Sequence, residues 1–416
     1  MKTIINNIGV LATPQGKGPR RGGEQGEIIR LRDAYVVIED GRIAAMGEGA
    51  CPTDGGNIID AGGALVTPGL VDAHTHLIFS GWRQRELALK LRGASYLDIL
   101  SQGGGILSTV KSTRQATLGE LAAAGASSLA VMLAHGTTTC EVKSGYGLTV
   151  EDELKSLAAV RELQGSQPVE LVPTFMGAHA VPAEYKQAQE NYVDLVCDQM
   201  IPAVSQQGVA EFCDVFCEDS VFDLAQSRRI LECGRRHGLL PKIHADEITA
   251  LGGAGLAGEL GAVSAEHLIH AGDEGLAKIA AAGTVAVLLP GTSFYLGEAF
   301  ARARTMVELG IAVAVASDFN PGSCPTESLQ MPMTIACLKY RLTPEEVLTA
   351  VTLNAAAAIN RSAGVGSLEE GKQADLVIWN APDLEFLFYH WGVNLVGTVV
   401  KRGEVVFRKG EGKLCD

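Results

Sequence analysis

The chain has no apolar run approaching the roughly 18 residues that a membrane-spanning helix needs, so no transmembrane segment is expected. The short apolar start after Lys2 is interrupted at Asn6 and Asn7, which removes the apolar centre of a secretory signal. Its nine cysteines form no CxxC pair, Cys213 and Cys217 standing four apart. That scatter excludes a thiolate zinc ribbon and suits a reducing, cytoplasmic setting. Basic charge is in deficit: 34 Lys and Arg face 48 Asp and Glu, for a net charge of −14. Such a field repels nucleic acid and anionic membrane surfaces, so neither is an expected partner. No GxGxxG follows the first strand-like run, which sets a dinucleotide-binding doubly wound sheet behind other α/β folds.

What the chain does have is material for a large core. Its 416 residues are 47% hydrophobic and 20% charged, enough for one α/β barrel with a small appendage. The first 65 residues read as β-rich, with strand-like runs at 28–31, 34–38 and 42–46 around the turn Glu39-Asp40-Gly41. Residues 13–26, rich in glycine and charge, read as a mobile loop. The last 45 residues have the same style, with runs at 374–379, 396–400 and 405–407. Neither end holds enough strands to stand alone, so residues 1–65 and 370–416 are predicted to pair into one composite β domain.

Between them, strand-like runs alternate with amphipathic stretches at 118–135, 151–164, 223–238 and 342–360. Eight such runs end near residues 76, 143, 179, 218, 244, 267, 290 and 318. Eight parallel strands within residues 66–369 match a closed (β/α)8 barrel, which takes about 250 residues. Seven of the eight runs end in His, Asp, Glu or Lys. In a barrel all of these converge on one mouth, where active sites lie. Val71-Asp72-Ala73-His74-Thr75-His76 places two imidazoles on one strand face, about 7 Å apart along the chain. His244 closes the fifth run and Asp318 the eighth. Three imidazoles and one carboxylate suit a divalent ion and leave a position for water.

These residues resemble the metal-dependent amidohydrolase superfamily: HxH on strand one, His on strands five and six, Asp on strand eight. That superfamily's barrel carries a small β-sandwich domain built from both termini. Its binuclear members use a carbamylated lysine on strand four. Here that strand reads Phe212-Cys213-Asp214-Val215-Phe216-Cys217-Glu218, so the resemblance implies one metal ion per subunit, zinc or iron. The segments 74–83, 102–106, 141–148, 177–179, 242–247 and 316–323 are in turn similar to the imidazolonepropionase family. The implied reaction is opening of 4-imidazolone-5-propanoate, a small-molecule substrate, by water to N-formimidoyl-glutamate in histidine degradation, by a homodimer.

The chemistry assigns roles. His74, His76, His244 and Asp318 are the expected metal ligands, and Asp318 is also a proton acceptor. His267 and Glu247 are the other candidate catalytic groups, and the resemblance implies that Glu247 also contacts the imidazolone nitrogens. Arg83 is the candidate carboxylate clamp, since guanidinium pairs two donors with two oxygens. Arg85 and Arg92 are its neighbours in sequence. Tyr146, between two glycines, His179, Asn320, Gly322 and Ser323 are the remaining substrate-binding candidates. Lys143 is open between pairing a buried carboxylate and meeting substrate. His135, His237, His270 and His390 read as structural. Two rivals stand beside this reading. A deaminase in the same superfamily fits HADE at 244–247, though a neutral base needs no clamp. A non-catalytic scaffold fits poorly, because every ligand is present.

Overall fold

The structure, a computed structural model, describes residues 2–51, 55–93 and 104–410. Two sheets organise it. The first is built from both chain ends: β1 (Lys2–Pro14), β2 (Ile28–Glu39), β3 (Arg42–Glu48), β4 (Asn57–Asp60) and β5 (Leu65–Pro68) from the start. The second is eight parallel strands: β6 (Leu70–Asp72), β7 (Thr137–Lys143), β8 (Glu170–Ala178), β9 (Phe212–Cys217), β10 (Leu240–Ala245), β11 (Ser264–His267), β12 (Val285–Leu288) and β13 (Val313–Val315). The C-terminal strands β14 (Leu376–Trp379), β15 (Val396–Lys401) and β16 (Glu404–Arg408) return to the first sheet.

In that sheet the order is β16-β15-β14-β5-β1-β2-β3, with β4 beside β1. The two ends meet where β14 runs antiparallel to β5. The sheet curls on itself, because Ala374 N–H donates to the Gly41 carbonyl and Gly403 N–H to Ala374. Ile5, Leu11, Val36, Ile38, Val66, Leu376 and Val400 fill the space it encloses. The long first strand differs from the sequence expectation of a broken apolar start. It passes the two asparagines through a register shift between Ile5 and Ile8, with Asn7 at φ 52°. Asparagine tolerates that left-handed conformation better than most residues.

The barrel strands follow chain order from β6 to β13. The ring closes through a parallel bridge of Thr75 to Phe319, with His76 N–H donating to the Phe319 carbonyl at 2.9 Å. This seam brings the HxH segment beside the Asp318 loop. Around the barrel, helices start where capping predicts. Thr117 with Glu120, Asp223 with Gln226 and Thr343 with Glu346 each make reciprocal capping boxes, satisfying amides that a helix start leaves bare. The stretch 342–360 is two helices, Pro344–Ala350 and Leu353–Ala358, rather than one.

Residues 13–26 are anchored, not loose as their composition suggested. Gln25 is fully buried; it accepts from Val313 N–H at 3.0 Å and donates to the Glu346 carbonyl at 3.1 Å. Arg20 N–H adds a bond to Asn354 Oδ1 at 2.7 Å. Glycine and charge content report local chain preference and are blind to such distant partners.

Candidate active site

The barrel mouth gathers His74, His76, His244, His267 and Asp318, all buried. His74 and His76 follow β6, His244 lies within β10, His267 ends β11, and Asp318 follows β13. His267 and Asp318 have φ of 65° and 56°, strained conformations that the surrounding packing must hold.

The atoms that face each other are those of a cation site. His244 Nε2 lies 3.4 Å from His76 Nε2. Asp318 Oδ1 is 3.4 Å from His74 Nε2 and 3.6 Å from His76 Nε2. His74 Nε2 has no hydrogen-bond partner although it is buried. Its Nδ1 pairs instead with Glu266 Oε2 at 3.1 Å, and His244 Nδ1 with Asp214 at 3.1 Å. Those carboxylates accept the Nδ1 proton, so both Nε2 lone pairs point at one spot. Lone pairs that converge repel, and a shared divalent cation resolves the conflict. Burial, then Lys143 and the neighbouring histidines, hold the His74 ring well below the usual imidazole range, hence neutral. Burial also pushes Asp318 up to about 6 despite the 2.5 Å bond its Oδ2 accepts from Thr292. Neutral imidazoles and a carboxylate reluctant to ionise are the state of a site built to be balanced by a cation. The donor set fits the group that the sequence implied.

Glu247 lies two residues beyond β10, its Oε2 3.4 Å from His267 Nε2. Burial, with Asp318 and Glu218 adding repulsion, raises its pKa well above the usual carboxylate value. That shift favours the protonated form. Two acids that the sequence did not single out hold its loop. Glu218 accepts from Ile248 N–H at 2.8 Å. Asp246 accepts from Gly252, Gly253 and Ala254 N–H at 2.7–3.0 Å.

Across the mouth, the His179 ring stacks on His76 at 4.7 Å, and Tyr146 lies 5.1 Å from His179 and 6.0 Å from His76. Burial and the nearby His244 hold His179 down at about 3. Its Nδ1–H donates to the Gly145 carbonyl at 3.1 Å. The neutral ring thus offers a lone pair at Nε2, and donation to an oxyanion would need the imidazolium. Gly145 has φ 113°, and a side chain there would strike the Met176 carbonyl at 2.9 Å. Buried Glu153 accepts from Gly147 and Leu148 N–H at 2.8 and 2.9 Å, fixing the turn that carries Tyr146.

Arg83 has a side chain only 12% exposed, whereas Arg85 and Arg92 are exposed. Its Nε and Nη2 both donate to Glu86 Oε2, at 3.0 and 2.8 Å, while Gly105 N–H donates to Glu86 Oε1 at 2.7 Å. The guanidinium lies flat against Gly322, where a Cβ would meet Nη1 at 2.2 Å. Asn320 spends its side chain on its own loop: Oδ1 accepts from Gly322 and Ser323 N–H, and Nδ2 donates to the Asp318 carbonyl. Lys143 resolves to a carboxylate partner, 2.7 Å from Asp214 and 2.9 Å from Glu141. His135 and His237 cap helix C-termini, each bonding a carbonyl of the preceding turn, and His270 is exposed. Of the quoted segment 102–106, Gln102 and Gly103 lie outside the described residues. Asp214 and Glu266 were the supporting groups missed. Their signal was period-2 spacing on β9 and adjacency to His267.

A parallel barrel with three imidazoles and a carboxylate gathered at its strand ends, backed by carboxylates on Nδ1, defines the class of barrel hydrolases that activate water on a divalent metal. Residues 65–406 match the model of the amidohydrolase family. Imidazolonepropionase of Alkaliphilus metalliredigens is 53% identical over 415 residues, covering 98% of both chains. That of Bacillus velezensis is 52% identical over 412 residues, again 98% of each. The chain belongs to the amidohydrolase family and, within it, to the imidazolonepropionases. Among solved structures, 5-methylcytosine deaminase of Klebsiella pneumoniae superimposes with a TM-score of 0.73 at 16% identity, covering 100% of this chain and 99% of that one. E. coli guanine deaminase gives 0.72 at 14%, covering 98% and 99%. These distant likenesses speak to the fold alone.

Proposed function

We propose that this enzyme hydrolyses the lactam of 4-imidazolone-5-propanoate to N-formimidoyl-L-glutamate, in histidine degradation. The observation that carries the reading is one mouth with a cation donor set on one side and a half-buried arginine on the other. That pairing suits a small substrate with a hydrolysable ring amide and a carboxylate tail. His74, His76, His244 and Asp318 would hold one divalent ion, zinc or iron, since both accept imidazole and carboxylate without thiolate. When bound, the ion supplies Lewis acidity, which brings the pKa of water towards 7.

The chain's own groups supply the rest. Arg83 and Tyr146 bind the propionate, with Gly322 giving the guanidinium room. His179, neutral and with its Nε2 lone pair free to face substrate, accepts a ring N–H. Asp318 takes the proton from the attacking water. His267 and protonated Glu247 return one to the ring nitrogen as its bond to the carbonyl carbon breaks. Asn320, with Gly322 and Ser323, shapes the loop against the substrate. The same reading divides the chain into residues 1–65 with 370–416 and the barrel 66–369, and makes it a cytoplasmic homodimer, which solution mass checks. No described helix is long and apolar enough to cross a membrane.

Mass analysis of the product tests the reaction. An acyclic formimidoyl acid supports it. No product from this acid, with ammonia released instead from an amino-substituted ring such as cytosine or guanine, would favour the deaminase reading, which the HADE segment permits.

A further inference from the structure

Below the metal-site histidines the barrel interior is ionic rather than apolar. Glu141 and Lys143 of β7, Asp214 of β9, Lys242 of β10 and Glu266 of β11 are all fully buried. They form one unbroken chain. Glu266 Oε2 is 3.1 Å from His74 Nδ1, and its Oε1 is 3.5 Å from Lys242 Nζ. Lys242 Nζ is 2.8 Å from Glu141 Oε1, and Glu141 Oε2 is 2.9 Å from Lys143 Nζ. Lys143 Nζ is 2.7 Å from Asp214 Oδ2, and Asp214 reaches His244 Nδ1 at 3.1 Å. The sign alternates at every step, and the chain starts on one metal-site histidine and ends on another. Side bonds pin its members: Thr174 Oγ1 donates to Glu141 at 2.6 Å and Ser264 Oγ to Glu266 at 2.5 Å.

Burying five ionisable groups costs several kcal/mol per ion before pairing, and apolar filling of equal volume is often the more stable choice. Stability is therefore a poor reason for this layer. The geometry gives a better one. Each histidine's ring orientation is set by a carboxylate, and each carboxylate by a lysine. Both lysines share one acceptor, Glu141. Three carboxyl side chains and two lysines thus stand directly behind the donor set.

We propose that this ion-pair chain is a positioning device for the metal centre, and that Glu141, which touches neither histidine, governs how tightly the centre holds its cation. The proposal rests on the metal-centre reading above. Zinc, titrated into stripped enzyme against a chromophoric chelator, tests it without recourse to turnover. Wild type is compared with H74A/H244A, E141Q and E141D, and each protein's unfolding temperature is measured with and without zinc. E141Q is expected to raise the zinc dissociation constant by about 10-fold or more, and to lower the unfolding temperature of the loaded form more than that of the stripped form. E141D keeps the carboxylate but is one carbon too short to bridge both lysines. It is expected to weaken zinc in the same direction, and decides the matter if E141Q does not fold. A dissociation constant within about twofold of wild type in the folded variant, with both forms losing equal unfolding temperature, makes Glu141 merely structural and overturns the proposal. Wild type that binds no more zinc than H74A/H244A overturns the metal reading itself, and the proposal with it.

Discussion

Arg83 is where the substrate's charge would be read, and its neighbours show how a flexible side chain becomes a fixed receptor. Both bonds to Glu86 use Nε and Nη2, leaving Nη1 on the Gly322 side. Arg83→Ala is expected to lower kcat/KM by about 10- to 100-fold, mostly through KM, the loss typical of a charge-assisted hydrogen bond. Steady-state kinetics with the acid and with its amide analogue check this. Equal effects on both would remove the clamp role. Glu247→Gln keeps the shape of the site but has no acidic proton to give. It is expected to lower kcat by about 10²- to 10⁴-fold with zinc content unchanged by metal analysis. Loss of metal in that variant would instead make Glu247 part of the cation site.

At the scale of elements, the loops are held by acids that accept backbone N–H groups. Glu218, a residue of the fourth barrel loop, secures the loop after β10 that carries Glu247. Glu218→Gln is expected to reduce kcat while leaving metal content and KM nearly intact, and unchanged kcat would show that the loop holds itself. Such relations set the limit of what the sequence reveals. The strand ends were legible because seven of the eight apolar runs stop at polar residues and one at Pro290, and HxH, His244, His267 and Asp318 sit at those stops. β1 was not, since its two asparagines mark a bulge within a strand. Asp214 and Glu266 were not assigned, because period-2 spacing and adjacency to His267 place them near the site but do not reveal their bonds to β10 and the β6 loop. The anchoring of residues 13–26 through Gln25 is of the same kind.

Across the whole molecule, Glu170 ties the barrel to the terminal sheet. It lies 3.3 Å from Arg361, 3.7 Å from Lys401 and 3.6 Å from Arg402. Burial alone would raise its pKa, but Lys401 and Arg361 outweigh burial and the net shift is downward. A lowered carboxylate stabilises the fold above its unfolded value, near about 4.3, and that stabilisation is lost as pH falls through the folded value. Glu170→Gln is thus expected to cost about 0.5–1 kcal/mol at neutral pH, with the gap to wild type closing below about pH 4. Denaturant unfolding at several pH values measures it, and a gap independent of pH would mean that the ion pairs contribute nothing. The central claim is that this mouth opens an acidic imidazolone ring with a metal-activated water. Following the loss of ultraviolet absorbance of fresh 4-imidazolone-5-propanoate, with chelator and then with zinc or ferrous iron restored, tests it most directly. Turnover at about 10⁴ M⁻¹s⁻¹ or better in kcat/KM is expected, abolished by chelator and recovered with metal. Absence of turnover in metal-loaded enzyme, or turnover indifferent to chelator, would contradict it.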